Sequence, residues 1–493
     1  MKRREFLKNS FTLGAISVLP FSYSCSQVST DITGLSALEL SIGIKTKQFS
    51  CYEVMQAYLN RIKKYNPTYN AIISMASNEI LFNHAKEADK ALSKGEYWGW
   101  MHGMPHAIKD LAPLKDFVYT SGSPMFANRI ADQDGYITSK IRSHGAIFIG
   151  KTNTPEFGLG SQTYNPIFGP TGNAYNPKLT AGGSSGGAAC GLGTKMLPVA
   201  DGGDMMGSLR NPGAFNNVIG FRPSTNVLMG EGDEINRMLS TSGPMGRNTR
   251  DLISLLKTIA LKPEFNGIEP LDFKDVKIGW LKDLGGYLPF EPGILKLCEN
   301  SLSKLTSARA KVELTQTKLN PSDLWTCWTT LRHQTRLKML EFYENPMTHN
   351  LLKPELIWEI EQALSLKEKN IEQAELFRKE WYAELDRLFD KYDFLILPTA
   401  QVFPFSTDIH WPKEINGRIM DTYHRWMEVV IMASIGGIPA INLPSGFDSE
   451  GRPMGLQVMG KFGNDRRVLQ FGLAYEQITD YLDVRPELVF YDS

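Results

Sequence analysis

This chain lacks the features that mark nucleic-acid-binding, metal-binding and disulfide-rich proteins. Its 493 residues include 53 Lys and Arg and 53 Asp and Glu, so the formal net charge is zero. No long Lys/Arg block is present, which argues against nucleic acid or an acidic membrane surface as partner. The five cysteines form no C-x-x-C pair, and no Cys/His cluster has zinc spacing. We therefore expect no metal, no cofactor and buried free thiols, with a Cys298–Cys327 disulfide as the alternative.

A hydrophobic run long enough to span a bilayer is also missing. The N-terminal apolar run, Phe11–Phe21, is shorter than the roughly 20 residues that a transmembrane helix needs. It follows Arg3-Arg4 in a basic segment, an order typical of a twin-arginine export signal with a cleaved apolar region. The pattern predicts that residues 1–25 are removed and that the mature chain is periplasmic. Cys25, after small residues, also fits a lipid anchor, and a chance basic N-terminus is the alternative to both.

The rest of the chain is predicted to be one α/β domain over residues 30–493. Apolar residues make up 42% of the sequence, enough to bury a large core. Between residues 100 and 230, short apolar runs alternate with Gly, Ser, Asn and Pro loops, which predicts buried strands and short helices. At about 322–392, apolar residues recur at helical spacing among many charges. We predict a helical insertion there, with its charges on a solvated face, because strand-like runs return after it.

Two glycine-rich loops carry serines that are suited to covalent catalysis. The first loop, Ala181–Ala188, reads AGGSSGGA and contains Ser184, and the second contains Ser208. Glycine lets backbone N–H groups approach a substrate closely, and a serine becomes a nucleophile when a base removes its proton. Lys109, upstream of both loops, is a candidate base if its surroundings lower its pKa. This combination indicates acyl transfer.

Other interpretations of the first loop fit the sequence less well. A phosphate-binding loop needs G-x-x-x-x-G-K-[ST], and no lysine follows these glycines at that spacing. The string matches G-x-S-x-G around Ser184 and Ser185, but a nucleophile elbow needs a strand immediately before the serine. Residues 173–178 are instead rich in turn formers. A Ser-His-Asp esterase is the runner-up, and His106 is expected to pack beside the Lys109 strand.

Ordered motifs along nearly the whole mature chain resemble those of the amidase signature enzymes. Three of them contain the residues already named, at Gly103–Asp110, Gly182–Gly187 and Asp201–Arg210. The other matches are Gly150–Gly158, Phe168–Thr171, Gly220–Pro223, Gly243–Met245 with Arg247 and Asp251, Gly436–Ala440 and Gly455–Gln457. The sequence of Asp204–Pro212 is most similar to that of the family branch that contains 6-aminohexanoate cyclic-dimer hydrolase. The resemblance implies a mixed central β-sheet flanked by helices, and an enzyme that hydrolyses carboxylic amides.

The resemblance also implies a Ser-cisSer-Lys triad. Ser208 matches the nucleophile, Ser184 the bridging serine and Lys109 the base, with a cis peptide bond between Gly183 and Ser184. The physical chemistry is consistent, because burial disfavours the charged form of a lysine. A neutral Lys109 would accept a proton from Ser184, which accepts one from Ser208. The relay then runs backward to protonate the leaving amine.

The second loop is expected to stabilise the charge that develops on the substrate's carbonyl oxygen. By resemblance, the backbone N–H groups of its oxyanion hole are those of Met205, Met206, Gly207 and Ser208. Asp204 and Arg210 are expected to fix this loop by hydrogen bonding. Ser185 is a further supporting residue, with a solvent-facing loop serine as the alternative.

Departures from the family pattern bear on the substrate more than on catalysis. Met205-Met206 replaces the usual Thr/Ile-Gly, Gly203 a Ser or Thr, and Gly172 an Arg. We predict a serine amidase that cleaves a small or linear amide through an acyl-enzyme. Its acyl pocket is expected to be apolar, built from the insertion and the loops near 400–430. The aromatic residues expected there are Phe403, Phe405, Trp411, Tyr423 and Trp426.

Two other functions stay open at this stage. The glutamine-hydrolysing subunit of tRNA-dependent amidotransferases shares the family pattern, but it works in the cytosol with partner chains, which the export signal argues against. The other interpretation is a non-catalytic binding protein with an amidase fold. It predicts that a residue of the triad is lost, but all three triad residues are present. The sequence leaves the substrate and the oligomeric state open, a homodimer included.

Overall fold

The computed structural model describes residues 31–228, 238–261 and 265–490. The predicted export signal, residues 1–25, therefore lies outside the described residues. Over the ranges that the structure describes, no helix is both long enough and apolar enough to cross a membrane.

Helices form where apolar residues recur at helical spacing, and several begin at capping residues. Ser36 with Glu39 and Ser50 with Glu53 form capping boxes at the first two helices, which pair backbone N–H groups that a helix start leaves unbonded. The α-helices are α1 (Ala37–Lys45), α2 (Cys51–Tyr69), α3 (Asn78–Ser93), α4 (Tyr136–Ser143), α5 (Gly186–Gly193), α6 (Arg210–Phe215), α7 (Thr249–Ile259), α8 (Ile294–Ser307), α9 (Pro321–Gln334), α10 (Leu340–Glu344), α11 (Pro346–His349), α12 (Pro354–Ser365), α13 (Glu368–Lys391), α14 (Ile431–Gly436) and α15 (Asp465–Ile478). Short 3₁₀ helices lie at Ile32–Gly34, Pro124–Phe126, Glu156–Gly158, Thr335–Met339, Arg425–Val430 and Tyr481–Asp483.

Most strands are buried on both faces and coincide with short apolar runs of the sequence, as expected for the interior of an α/β protein. The strands are β1 (Ile72–Ile73), β2 (Pro105–Lys109), β3 (Ile147–Thr152), β4 (Val199–Asp204), β5 (Ile219–Arg222), β6 (Thr241–Gly246), β7 (Lys277–Trp280), β8 (Lys311–Leu314), β9 (Phe394–Pro398), β10 (Glu414–Ile415), β11 (Arg418–Ile419), β12 (Ala440–Phe447) and β13 (Pro453–Met459).

The described strands form one large sheet and two small ones. The large sheet has eight strands in the order β4-β6-β5-β12-β13-β9-β7-β8. Its pairs are antiparallel from β4 to β9, and the last two, β9 with β7 and β7 with β8, are parallel. A separate sheet has the order β1-β3-β2, in which β2 and β3 run parallel, and β10 pairs with β11. This mixed, helix-flanked architecture confirms the predicted fold class.

Two motif residues, Asp251 in α7 and Arg247 between β6 and α7, hold the N-terminal helix in place. The Asp251 carboxylate accepts hydrogen bonds from the N–H groups of Ala37 at 2.8 Å and Leu38 at 3.1 Å. Arg247 donates to the carbonyl oxygens of Thr33 and Leu35. Asp251 therefore pairs N–H groups that the start of α1 leaves unbonded, and Arg247 fixes the segment that leads into the helix.

Of the helices between 321 and 391, α9 and α13 pack on each other and on α14 through an apolar core. Trp328, Leu331, Trp381 and Leu388 are buried there, and the indole N–H of Trp381 donates to the carbonyl oxygen of Met432 at 3.1 Å. This packing brings the C-terminal end of α9 to the edge of the cavity described below.

The cysteines of the described residues are free and buried: Cys51, Cys190, Cys298 and Cys327. The alternative of a Cys298–Cys327 disulfide is therefore wrong. Burial raises the pKa of each of these thiols, so they remain protonated and unreactive at neutral pH.

Candidate active site

Lys109 is the last residue of β2, and its side chain is buried. Its Nζ lies 2.8 Å from Oγ of Ser184 and 2.8 Å from Oγ of Ser185. Its backbone N–H donates to Oδ2 of Asp201 at 3.3 Å, which ties the end of β2 to β4 of the large sheet. Strand β2 therefore positions the amine of Lys109 beside Ser184 and Ser185.

These two serines lie in the loop that leads into α5, where glycine permits close packing. The peptide bond between Gly183 and Ser184 is cis, as the resemblance implies. A Cβ atom at Gly187 would lie 2.3 Å from the backbone nitrogen of Asn153, so only glycine lets α5 approach the end of β3. Ser185 is fully buried, and the alternative of a solvent-facing serine is wrong.

Ser208 lies in the loop between β4 and α6. The preceding residue, Gly207, has a φ of +76°, a left-handed conformation that favours glycine. The carbonyl oxygen of Ser208 accepts a hydrogen bond from the N–H of Ser185 at 3.3 Å. This bond joins the two glycine-rich loops, and Ser184 and Ser208 line the same cavity.

Behind the Ser208 loop lies a buried cluster of Asp204, Arg210 and Arg222, here called the loop cluster. The Asp204 carboxylate accepts hydrogen bonds from the N–H groups of Gly207 at 2.9 Å and Leu209 at 3.3 Å. Arg210 donates to the same carboxylate from two nitrogens, at 3.0 and 2.9 Å. Burial alone would raise the pKa of Asp204, but the two guanidinium groups hold it well below its usual range. A permanent carboxylate therefore anchors both ends of the loop.

One expected oxyanion-hole donor has a different partner. The Gly207 N–H donates to Oδ1 of Asp204, which removes it from the set that the resemblance implies. Met205, Met206 and Ser208 line the cavity, and their backbone N–H groups remain the candidate donors.

The surroundings of Lys109 favour a neutral amine. Burial lowers the pKa of Lys109 to about 7, although the charges of Asp201 and Asp204 raise it in part. A lysine near this pKa is suited to accept a proton at neutral pH. His106 lies on the same strand, and its Nε2 is 3.2 Å from Oδ1 of Asp201. His106 thus packs against the carboxylate beside Lys109, as predicted.

A cavity of about 380 Å³ opens at these residues, a size that suits a small ligand. The predicted site residues that line it are Lys109, Ser184, Met205, Met206 and Ser208. The others, which support this wall from behind, are Gly183, Ser185, Asp204, Gly207 and Arg210. The structure therefore brings the three candidate catalytic side chains to one cavity.

Three charged residues and a histidine of the same cavity were not predicted from the sequence. They are Arg332 at the end of α9, Arg336 in the following 3₁₀ helix, Lys338 and His424. Arg332 and Arg336 are only 4% and 7% exposed, so the prediction that the insertion's charges form a solvated face is wrong for this pair. Their i, i+4 spacing, which places two side chains on one helical face, was the available signal.

The aromatic residues expected to form an apolar pocket lie elsewhere. Tyr423 donates to Glu359 and accepts a hydrogen bond from Arg332. The other four, Phe403, Phe405, Trp411 and Trp426, pack in the apolar core beside the insertion. None of the five is among the residues that line the cavity. The predicted aromatic pocket is therefore wrong, and the apolar part of the wall comes from Leu111, Phe157, Met205 and Met206.

Comparisons with known proteins show which family the chain belongs to. Residues 53–469 match the family model described as Amidase. An acylamidase of Rhodococcus erythropolis is 28% identical over 470 residues, which cover 92% of this chain and 97% of that protein. A glutamyl-tRNA(Gln) amidotransferase chain of Thermosynechococcus vestitus is 28% identical over 485 residues, with 91% and 99% covered. A solved bacterial aryl acylamidase of the amidase signature family superposes with a TM-score of 0.84 at 24% identity, over 91% and 98% of the two chains.

Proposed function

We propose a mechanism from the premise that this chain belongs to the amidase family, whose model matches residues 53–469. Membership makes it a hydrolase of the C–N bonds of amides and confirms the resemblance to the amidase signature enzymes. The observation that carries the mechanism is the buried contact between Lys109 Nζ and Ser184 Oγ, 2.8 Å long, in the wall that also contains Ser208.

In the first half-reaction, Ser208 Oγ attacks the amide carbonyl carbon. Its proton passes to Ser184 Oγ, and the proton of Ser184 passes to the neutral amine of Lys109. The C–O bond forms while the carbonyl oxygen takes up negative charge. The relay then returns a proton to the nitrogen of the substrate, the C–N bond breaks, and an amine and an acyl-Ser208 ester remain.

In the second half-reaction, water takes the place of the amine. Lys109, neutral again, accepts a proton from water through Ser184, and the resulting hydroxyl attacks the ester carbon. The ester C–O bond breaks, Ser208 recovers its proton, and the carboxylic acid leaves. Backbone N–H groups of Met205, Met206 and Ser208 stabilise the oxyanion in both halves, and such donors typically contribute about 3 kcal/mol each.

The cavity volume of about 380 Å³ supports a small or linear amide as substrate. The sequence of Asp204–Pro212 supports a relationship to the family branch that contains 6-aminohexanoate cyclic-dimer hydrolase. For the R. erythropolis acylamidase, the name describes cleavage of acyl amides. These points favour an acylamidase-type enzyme. The twin-arginine pattern of residues 1–25 supports export to the periplasm, and Cys25 is the residue that a lipid anchor would modify.

Intact-mass analysis after treatment with a neutral fluorophosphonate tests this mechanism. We expect one adduct on the wild-type chain, mapped to Ser208 and absent from Ser208→Ala, because only an activated serine reacts. Lys109→Met should lose the adduct as well. Ser445→Ala is the matched control, since Ser445 is also a buried serine but hydrogen-bonds Ser301, away from the cavity.

Two results would contradict the mechanism. An adduct on Ser184 or Ser185 would favour a nucleophile-elbow esterase. No adduct on any serine would favour a non-catalytic binding protein on the amidase scaffold.

A further inference from the structure

The cavity is one-sided in charge. Its lining contains three cationic side chains, those of Arg332, Arg336 and Lys338, besides the amine of Lys109, and no carboxylate among the residues that the structure describes. A ligand cavity usually places its few polar groups where the ligand needs them. This excess of positive charge therefore calls for a ligand group of opposite sign.

The guanidinium of Arg332 has strong hydrogen-bond acceptors within the chain for only some of its nitrogens. Its Nε donates to Oε1 of Glu359 at 2.7 Å, and one Nη donates to the hydroxyl of Tyr423 at 2.8 Å. The other Nη has the sulfur of Met205 as acceptor, at 3.5 Å. A thioether is a weak acceptor, so this nitrogen keeps most of its capacity to bind an anion.

Arg336 has the same arrangement from the next turn. Its Nε lies 2.6 Å from Oε2 of Glu359, an ion pair without hydrogen-bond alignment. One Nη again points to the sulfur of Met205, at 3.5 Å. Glu359 thus forms ion pairs with both arginines. We call the group of Glu359, Arg332 and Arg336 the cavity cluster, and its net charge is one positive charge.

His424 adds a neutral polar atom to this end of the cavity. Its Nδ1 lies 2.8 Å from Oγ1 of Thr422, and the side chain is 2% exposed. Its Nε2 has no hydrogen-bond partner among the described residues, although buried polar atoms are normally paired. A bound ligand would supply that partner.

We propose that the substrate of this enzyme carries a carboxylate, which Arg332 and Arg336 bind at the Met205 end of the cavity with His424 beside it. The inference rests on the proposed amide hydrolysis and narrows its substrate class. Two guanidinium groups facing one point suit the planar, bidentate geometry of a carboxylate. Because Met205 belongs to the loop that carries Ser208, the carboxylate lies only a few bonds from the scissile amide.

Paired substrates test this proposal and show which side of the amide carries the charge. Glutaramate, with the carboxylate on the acyl side, is compared with 5-methylhexanamide, in which an isopropyl group replaces it. N-butanoylglycine, with the carboxylate on the amine side, is compared with N-isobutylbutanamide. We expect kcat/KM for the charged member to exceed that of its isostere by about 10-fold or more in one pair, the usual size of a charged hydrogen bond.

Arg336→Gln should lower that ratio by about 10-fold. Arg378→Gln is the matched control: Arg378 is also a buried arginine of the insertion, it pairs with Glu375 and contacts the sulfur of Met238, yet it does not line the cavity. It should leave the ratio unchanged. If Arg336→Gln does not fold, Arg336→Lys keeps the charge without the planar fork and should lower the ratio by about 3-fold.

Calorimetric titration with glutarate separates this proposal from the proposed function. Binding to Ser208→Ala that is lost in Arg336→Gln supports a carboxylate site whether or not the chain cleaves amides. No binding of glutarate, together with equal or faster cleavage of the neutral isosteres, would overturn the carboxylate inference and leave the amidase mechanism intact. A ratio that Arg336→Gln does not change would overturn it as well.

Discussion

The loop cluster and the cavity cluster have the same composition, one carboxylate with two arginines, but different surroundings. In the loop cluster, all three nitrogens of Arg210 donate to oxygen atoms, those of Asp204, Val430, Gln457 and Ser434. In the cavity cluster, one nitrogen of each arginine points to sulfur instead. Arg222 of the loop cluster also has nitrogens without a partner among the described residues, but they are fully buried away from the cavity. Arg210 therefore fixes a backbone loop, whereas Arg332 and Arg336 keep donors at the cavity wall.

The two clusters also differ in the position of their excess positive charge, which each has because two arginines share one carboxylate. Arg222, the second arginine of the loop cluster, is fully buried and does not line the cavity. Burial lowers its pKa to about 10, and its guanidinium donates to the backbone carbonyl oxygen of Asp204. The excess charge of the cavity cluster instead borders the space where a substrate binds, so composition alone does not decide the role of such a cluster.

The largest effect is expected from Asp204→Asn, which removes the shared charge of the loop cluster. Taking one partner from a buried ion pair leaves two guanidinium groups uncompensated, and we expect the free energy of unfolding to fall by about 3 kcal/mol. Because the Ser208 loop loses its anchor, fluorophosphonate labelling should slow by about 100-fold. Urea denaturation and the labelling rate measure the two effects.

The matched control for that variant is Asp275→Asn, in which an aspartate paired with Lys311 on the surface loses its charge. Its urea midpoint should stay at the wild-type value. If Asp204→Asn matched this control in stability and labelling rate, the loop cluster would not be the anchor described above.

A smaller effect is expected from Glu359→Gln in the cavity cluster. Burial would raise the pKa of Glu359, but Arg332 and Arg336 hold it well below its usual range, so the wild-type group is charged. Removing that charge should lower the free energy of unfolding by up to about 3 kcal/mol. It also frees positive charge at the cavity, so glutarate should bind more tightly in titration calorimetry. Weaker binding would mean that the two clusters have the same structural role.

Met205→Leu is expected to have the smallest effect. The two side chains have similar volume, so the free energy of unfolding should change by less than about 1 kcal/mol. The sulfur is a weak acceptor, so the affinity for glutarate should stay within about 2-fold of wild type. A large loss of glutarate binding would show that Met205, rather than an anionic ligand, is the intended partner of the arginines.

The sequence predicted the parts of the site that depend on local backbone chemistry. Glycine at 187 and 207 is dictated by close packing and a left-handed turn, and the serines and lysine stand in ordered motifs. The α/β class followed from apolar runs and their order, and the mixed central sheet from the resemblance to the amidase signature enzymes. Strand β6, with the sequence TSGPMG, has no apolar run, and only its pairing with β4 and β5 makes it a strand.

The charged end of the cavity could not be predicted in the same way. Arg332 and Arg336 stand in a segment with many exposed charges, and only the packing of the insertion on the core turns these two inward. Asp204 was predicted to fix the Ser208 loop by hydrogen bonding, but the motif does not state that its carboxylate takes the Gly207 N–H. Tertiary contacts determine the first feature, whereas the second is a local hydrogen bond between residues three positions apart.

The central claim is that buried Lys109 activates Ser208 through Ser184, and the pH dependence of Ser208 labelling tests it most directly. A lysine whose pKa is lowered to about 7 is protonated below that pH and unable to accept a proton, and it is neutral above it. The labelling rate should therefore rise through about pH 7 and level off at higher pH. A rate that stays constant from about pH 5 to pH 9, or one that rises in the same way in Lys109→Met, would contradict the account.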